Sequence, residues 1–342
     1  MSEELNNIPV TILCGFLGAG KTSFLNHILS KDSDKRYAII ENEYGEQGID
    51  NELIIRPDET IVELNNGCLC CTLNDNLYDI LNELHSRRDQ FDEIIIEATG
   101  IADPSGLAEP FIAHPIVKDH FPLKAIICLV DAEQIEDHLE DTEEALNQVA
   151  FSDIILINKM DLINENYLST LKGVLGEINP LATIYTGDKD HFPELEYSRV
   201  NNTLDELLNK TTGKFHSEDQ SNFPIQKPHH HHHHNHTKDV NSETFIFDRP
   251  FDLNKLNLQL NIYLTFQSRG LYRMKGLLWI ENEKDQYVLQ SVGKRYDLSK
   301  KRAWEVEEER KTIIVFIGKN IQRKGLERFL QTCLVNEKIL KP

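Results

Sequence analysis

The sequence predicts an α/β domain built on a mostly parallel sheet, followed by a smaller α+β domain. From about Ile8 to Thr212, short β-rich runs alternate with helical stretches. Those runs are apolar throughout rather than alternating, as expected of strands covered by helices on both faces. Composition then shifts between Thr212 and Ser242, and a different order of elements follows. A chain of 342 residues is long enough for two domains.

In the first domain, residues 8–212, Val10–Cys14 reads as a buried strand and Lys21–Leu29 as the helix after it. Further strands are expected at Tyr37–Ile40, Glu93–Ile96, Ala125–Val130, Asp153–Ile157 and Thr183–Tyr185. Residues 213–242 hold Gly, Ser, Asn and Pro, the block His229–His234 and, just beyond it, His236, and read as a mobile linker. The block is like a purification tag in composition but lies inside ordinary sequence. In the second domain, residues 243–335, Thr244–Phe247 reads as a strand. Asp252 is placed to cap a helix whose apolar face carries Leu256, Leu260, Tyr263 and Leu264. Gly276–Glu281 and Tyr287–Val292 read as a hairpin, Thr312–Ile317 as a strand and Leu326–Leu334 as a helix. No internal repeat is evident.

The balance of 56 acidic to 36 basic residues gives a formal charge of −20. Such a field repels nucleic-acid phosphate and anionic membrane and attracts cations. Neither nucleic acid nor membrane is an expected partner, and a homo-oligomer is left open. No apolar run approaches the ~20 residues that cross a bilayer. Met1–Pro9 is polar and acidic, without the basic start and apolar run of a secretory signal. A cytoplasmic location is expected. Six cysteines are too few for a disulfide scaffold, and clustered ones in a reducing compartment suit metal or redox chemistry.

Gly15-Phe16-Leu17-Gly18-Ala19-Gly20-Lys21-Thr22 fits G-x-x-x-x-G-K-[ST], between a strand and a helix. Its glycines let backbone N–H groups curl toward phosphates, and the helix presents its positive N-terminus to the same anion. Gly15, Gly18, Ala19, Gly20, Lys21, Thr22 and Ser23 are therefore expected to hold the phosphates, with Lys21 on the β/γ-phosphates and the Thr22 hydroxyl on Mg²⁺. Asn158-Lys159-Met160-Asp161 follows a later strand. A carboxylate at Asp161 can accept both donors on one edge of guanine, a pair that adenine lacks. Asn158, Lys159 and Asp161 thus point to GTP rather than ATP, and the loop at Thr186-Gly187 is a weaker candidate for capping the base. Glu97 ends an apolar strand where a carboxylate commonly completes the Mg²⁺ shell, and Gly100 is placed to offer an N–H to the γ-phosphate. Lys21, Thr22 and Glu97 are the candidate catalytic residues. No general base or arginine finger is identifiable, so slow turnover is expected of the chain alone.

Gly67-Cys68-Leu69-Cys70-Cys71 puts three thiols within four residues. Thiolates suit Zn²⁺ or Cu(I), and Co²⁺ and Ni²⁺ also fit. Cys68, Cys70 and Cys71 are candidate metal ligands, with structural cysteines or a redox pair as alternatives. Glu41, at the end of a strand, and His114 are candidates to complete the set. The His block is a second place where imidazoles would gather metal.

Taken together, these motifs resemble one family, the CobW-type metallochaperone GTPases of the P-loop class. The resemblance rests on Gly15–Thr22, Glu41–Asp50, Gly67–Cys71, Glu97–Gly100 and Asn158–Asp161, and in the second domain on Tyr272–Ile280 and Val315–Gly318. It is nearest to the YjiA branch, in which metal sites lie at positions matching Glu41, Cys70, Cys71 and His114. The resemblance implies a P-loop GTPase domain with a CobW-like C-terminal domain. It also implies a GTP/GDP cycle with Mg²⁺ and handling of Zn²⁺, or of Co²⁺ for cobalamin synthesis, for an unidentified client metalloprotein. A His-rich linker is common among zinc-linked members, which favours Zn²⁺ here. The cysteines lie between the Glu41–Asp50 and Glu97–Gly100 loops, the segments expected to sense the γ-phosphate, so metal affinity is expected to follow nucleotide state. A metal buffer, an ATP-dependent kinase and a thiol redox sensor are the competing readings.

Overall fold

The computed structural model describes residues 7–31, 34–42, 61–63, 73–188, 190–212 and 240–335. In chain order the first part contains β1 (Val10–Cys14), α1 (Lys21–Lys31), β2 (Tyr37–Asn42), β3 (Ile61–Glu63), α2 (Leu73–Ser86) and β4 (Glu93–Ala98). It continues through α3 (Pro104–Ala113), α4 (Pro115–His120), β5 (Leu123–Asp131), α5 (Ile135–Asp141) and α6 (Glu143–Phe151). It ends with β6 (Ile154–Asn158), α7 (Glu165–Ile178), β7 (Thr183–Thr186) and α8 (Tyr197–Thr212). Among the described residues these strands form a seven-stranded sheet in the order β3-β2-β4-β1-β5-β6-β7. Every neighbouring pair in it is parallel.

The unbroken apolar runs have a direct cause: both faces of this sheet are buried. Ile12, Ile94, Ile96 and Ile126 pack under α2, α3, α6 and α7 through Leu77, Leu107, Leu146 and Leu171. Leu13, Ile95 and Ile127 pack under α1 through Phe24, Leu25 and Leu29. Helix starts follow local chemistry. Asp103 caps α3 by accepting from Ser105 N, with Pro104 as the first helical residue, while Thr142 and Asn164 cap α6 and α7.

The second part holds β8 (Val240–Phe247), α9 (Leu253–Phe266), β9 (Leu271–Leu278), β10 (Asp285–Val292), β11 (Arg295–Ala303), β12 (Thr312–Lys319) and α10 (Arg323–Cys333). Its sheet has the order β11-β10-β9-β12-β8 and is antiparallel throughout. Asp252 caps α9 by accepting from Asn254 N and Lys255 N, as its position in the sequence suggests. β8 begins at Val240, so 240–242 belong to a strand and not to the expected linker. β9 begins at Leu271, ahead of the expected Gly276.

The two sheets share a core. On β12, Ile313, Val315 and Ile317 join the cluster of α3, α6 and α7, whereas Ile314 and Phe316 face Leu256, Leu260, Leu326 and Leu330 of α9 and α10. The helices α3, α6, α7 and α8 therefore lie between the sheets. The expected α/β domain and smaller α+β domain are both present.

Candidate functional site

The glycine-rich turn follows β1 and opens α1. Gly15 has φ +136°, and a Cβ there would lie 2.2 Å from Leu129 O on the neighbouring β5. Gly20 has φ +98°, and a Cβ there would lie 2.3 Å from Asn158 Nδ2. Only glycine fits either place. Lys21 is buried, and its Nζ donates to Gly15 O at 2.9 Å and Phe16 O at 3.3 Å, which sets the ammonium inside the curl of the loop. Ala19 is buried beneath the loop, and Ser23 is exposed in the first turn of α1.

Thr22 Oγ1 donates to Glu97 Oε1 at 3.1 Å, joining residues that are 75 apart in sequence. Glu97 stands one residue from the end of β4, in register with Leu13 of β1 and Glu41 of β2. A hydroxyl and a carboxylate meeting beside a phosphate loop are hard oxygen donors of the kind Mg²⁺ takes, so these two side chains fit the ion. Beyond β4, Ala102 N donates to Thr99 O at 3.0 Å and closes a turn around Gly100. That turn rests on the loop: a Cβ on Gly100 would lie 2.6 Å from Leu17 N.

The Asn158–Asp161 segment reaches the same loop from β6. Asn158 is buried, and its Nδ2 donates to Ala19 O at 2.9 Å. Its Oδ1 has no hydrogen-bond partner among the described residues, an acceptor held against the loop. Lys159 takes a left-handed conformation at φ 60° and pairs with Asp131 at 2.6 Å. Asp161 is exposed in the short turn Met160–Leu162. Gly187 fastens the last loop to this segment, with Met160 N donating to Gly187 O at 3.2 Å and Gly187 N to Ile157 O at 2.8 Å. All of these residues gather at the carboxyl ends of β1, β4, β5, β6 and β7, where ligands of open α/β sheets bind. A cavity of about 260 Å³ lies instead at the opposite ends of the strands, against Thr11, Glu93 and Lys124. Burial pushes the Glu93 carboxyl up, but hydrogen bonds from Lys35 and Lys124 outweigh it and hold it below the usual range.

Cys68, Cys70 and Cys71 lie outside the described residues, as does His229–His234. Of Glu41 the backbone alone is described, beside Glu97. His114 stands at the junction of α3 and α4, where its Nδ1 accepts from Val117 N at 3.4 Å. Its ring lies 5.3 Å from that of Tyr78. Among the described residues no group of three His, Cys, Asp or Glu could hold a metal ion. The described cysteines Cys14, Cys128 and Cys333 are buried. A hydrogen bond with Cys128 and then burial push the Cys14 thiol well up, and burial pushes Cys333 up to about 11. These two are packed thiols, not thiolate ligands.

Two contributors were not singled out in the sequence. Asp131 orients Lys159, and Gln148 of α6 donates to Gly100 O and Ala102 O. The signal for Gln148 was an amide pair, Asn147-Gln148, inside the otherwise apolar stretch Ala145–Phe151. No helix among the described residues is long and apolar enough to cross a membrane.

Residues 9–186 match the family described as CobW/HypB/UreG, nucleotide-binding domain, and residues 240–334 match the cobalamin synthesis protein cobW C-terminal domain. The zinc chaperone YjiA of Escherichia coli is 35% identical over 321 residues, covering 92% of this chain and 95% of that protein. The zinc-regulated GTPase metalloprotein activator 1 of Schizosaccharomyces pombe is 30% identical over 357 residues, covering 94% and 84%. The crystal structure of the Zn(II)-bound YjiA GTPase from E. coli superimposes with a TM-score of 0.66 at 29% identity, covering 96% of this chain and 99% of that one.

Proposed function

This chain belongs to the CobW/HypB/UreG family, and from that premise we propose that it is a GTPase that carries zinc to a client metalloprotein and whose grip on the metal follows its nucleotide state. The observation that carries the coupling is the register of β2 and β4. Glu41, a candidate metal ligand, stands beside Glu97, a candidate Mg²⁺ ligand, on neighbouring parallel strands, whose backbones lie roughly 4.8 Å apart. A shift of β4 on nucleotide exchange would thereby be felt at Glu41. The names of the bacterial and fission-yeast relatives support zinc as cargo, and Co²⁺ and Ni²⁺ remain the alternatives that the thiol chemistry allows. The client is unidentified, and the proposed place of action is the cytoplasm.

The reaction is in-line attack of water on the γ-phosphate of GTP, giving GDP and phosphate. Lys21, anchored on the loop carbonyls, meets the β/γ-oxygens and neutralises charge there. Thr22 and Glu97 would hold Mg²⁺, which would supply further neutralisation of the developing charge. Asn158 braces the loop through Ala19 O, and Asp161 selects guanine. Cys68, Cys70, Cys71, Glu41 and His114 would form the cargo site.

Linkage gives the test. If GTP changes zinc affinity by some factor, zinc changes GTP affinity by the same factor. GTP, GDP and ATP titrations with and without zinc are expected to show GTP affinity shifting with zinc and ATP binding far more weakly. GTP affinities that are equal with and without zinc would reject the coupling, and an ATP preference would reject the guanine reading.

A further inference from the structure

Gln148 is 1% exposed in the middle of α6. A buried primary amide is costly unless its donors are used. Here Nε2 donates to Gly100 O and to Ala102 O, each at 3.1 Å. Those carbonyls bracket the turn that Ala102 N closes on Thr99 O. The same turn lies against the Leu17 amide of the phosphate loop. One side chain thus fixes both shoulders of the segment that faces the nucleotide.

We propose that Gln148 is a positioning residue for GTP hydrolysis, holding the Thr99–Ala102 turn over the phosphate loop so that the Gly100 N–H is in place when a γ-phosphate arrives. This rests on the reading of Gly15–Thr22 and Gly100 as the GTP site. A turn ordered in advance loses less freedom when it engages its ligand, which favours the bound state. GDP has no phosphate that reaches the turn, so the effect is confined to the triphosphate. The helix that carries Gln148 is itself fixed at its far end. Ser152 Oγ donates to Gln148 O. From the second domain, Arg273 Nη1 donates to Phe151 O at 2.6 Å and Ser152 O at 2.9 Å. A positioning group needs such a rigid support.

The test uses the full chain with Mg²⁺. Gln148→Leu removes both donors at similar volume, and Gln148→Asn withdraws the amide by one methylene while keeping it polar. Loss of two such bonds predicts a fall of about tenfold in affinity for a non-hydrolysable GTP analogue in Gln148→Leu. A smaller fall is expected in Gln148→Asn. In both variants kcat for GTP falls while GDP affinity stays at the wild-type value. GDP affinity also reports folding, so Gln148→Asn carries the test if the leucine variant does not fold. An equal loss of GDP and GTP-analogue affinity would mark a merely structural residue and overturn the proposal. A wild-type chain that hydrolyses GTP beside an unaltered Gln148→Leu overturns it alone, whereas a wild-type chain that does not hydrolyse GTP removes the underlying reading as well.

Discussion

The proposed cargo role of His114 would compete with a structural one for a single ring. Its Nδ1 accepts the Val117 N–H and so starts α4. A neutral imidazole that accepts at Nδ1 carries its proton on Nε2. A metal on Nε2 moves that proton to Nδ1, and the helix loses its cap. Zinc binding at this ring would thereby be tied to the first turn of α4. Replacing a cap by alanine costs about 1 kcal/mol, and asparagine caps well. His114→Asn is expected to keep the thermal stability of the chain and lose zinc affinity, while His114→Ala loses both. Zinc titration beside thermal unfolding checks this, and unchanged zinc affinity in both variants would remove His114 from the cargo site. Residues such as Lys21 and Thr22 were legible because a fixed spacing of glycines leaves them one place to go. His114 was read as a candidate ligand and not as a cap, because the cap shows only once the helix break between Ala113 and Pro115 is placed.

At the scale of the element, legibility followed burial. β1, β5 and β6 are apolar on both faces and could be read directly. β3 is three residues long, too short to show a period. β11 is an edge strand carrying Lys300, Lys301 and Arg302, a charged and half-exposed sequence that hides its pairing with β10. Its partner is set by the tight turn at Gly293, φ +54°, and not by hydrophobicity. β12 reads as a strand, but its sequence could not say that its two faces serve different cores. Phe316 is fully buried toward α9 and α10, edge-on to Phe245. Phe316→Ala leaves a cavity among side chains held by two helices, at an expected cost of about 3–5 kcal/mol. Leu258→Ala, on the exposed face of α9, is expected to change stability by no more than about 0.5 kcal/mol. Denaturant unfolding followed on both variants distinguishes them, and equal effects would contradict the two-faced packing of the second sheet.

The whole molecule is joined by a charged cluster that periodicity could not reveal. Arg273 and Lys275 on β9 both reach Asp153, just ahead of β6 in the first domain, and Arg273 also caps the last carbonyls of α6. The stretch Tyr272–Ile280 carries part of the family resemblance, but a pairing across 120 residues needs the fold to place it. Burial pushes the Asp153 carboxyl up, yet the two cations outweigh it and hold it at about 2, against an ordinary 3.8. Burial lowers Lys275 in spite of its carboxylate neighbour, and Arg273 beside it adds to the lowering. Two cations thus share one anion, and the pair that holds is Asp153 with Arg273. Because the folded carboxyl is depressed, its contribution is present above the unfolded value of 3.8 and is lost as pH falls through about 2. The shift corresponds to a contribution of about 2 kcal/mol. For Lys275 the sign is opposite: folding disfavours its charged form, so at neutral pH its charge opposes folding. Arg273→Met, which takes the closer cation from a buried carboxylate and the donor from two buried carbonyls, is expected to cost about 3–5 kcal/mol. Lys275→Met should be neutral or stabilising at pH 7, since it removes the surplus cation and leaves the pair intact. Asp153→Asn should flatten the loss of stability between pH 4 and pH 2 that wild type shows, the window bounded by the two carboxyl values. Chemical denaturation of the variants at pH 7, with acid titration of wild type and Asp153→Asn, measures all of this, and a Lys275→Met variant as damaged as Arg273→Met would mean that both cations are required to join the domains.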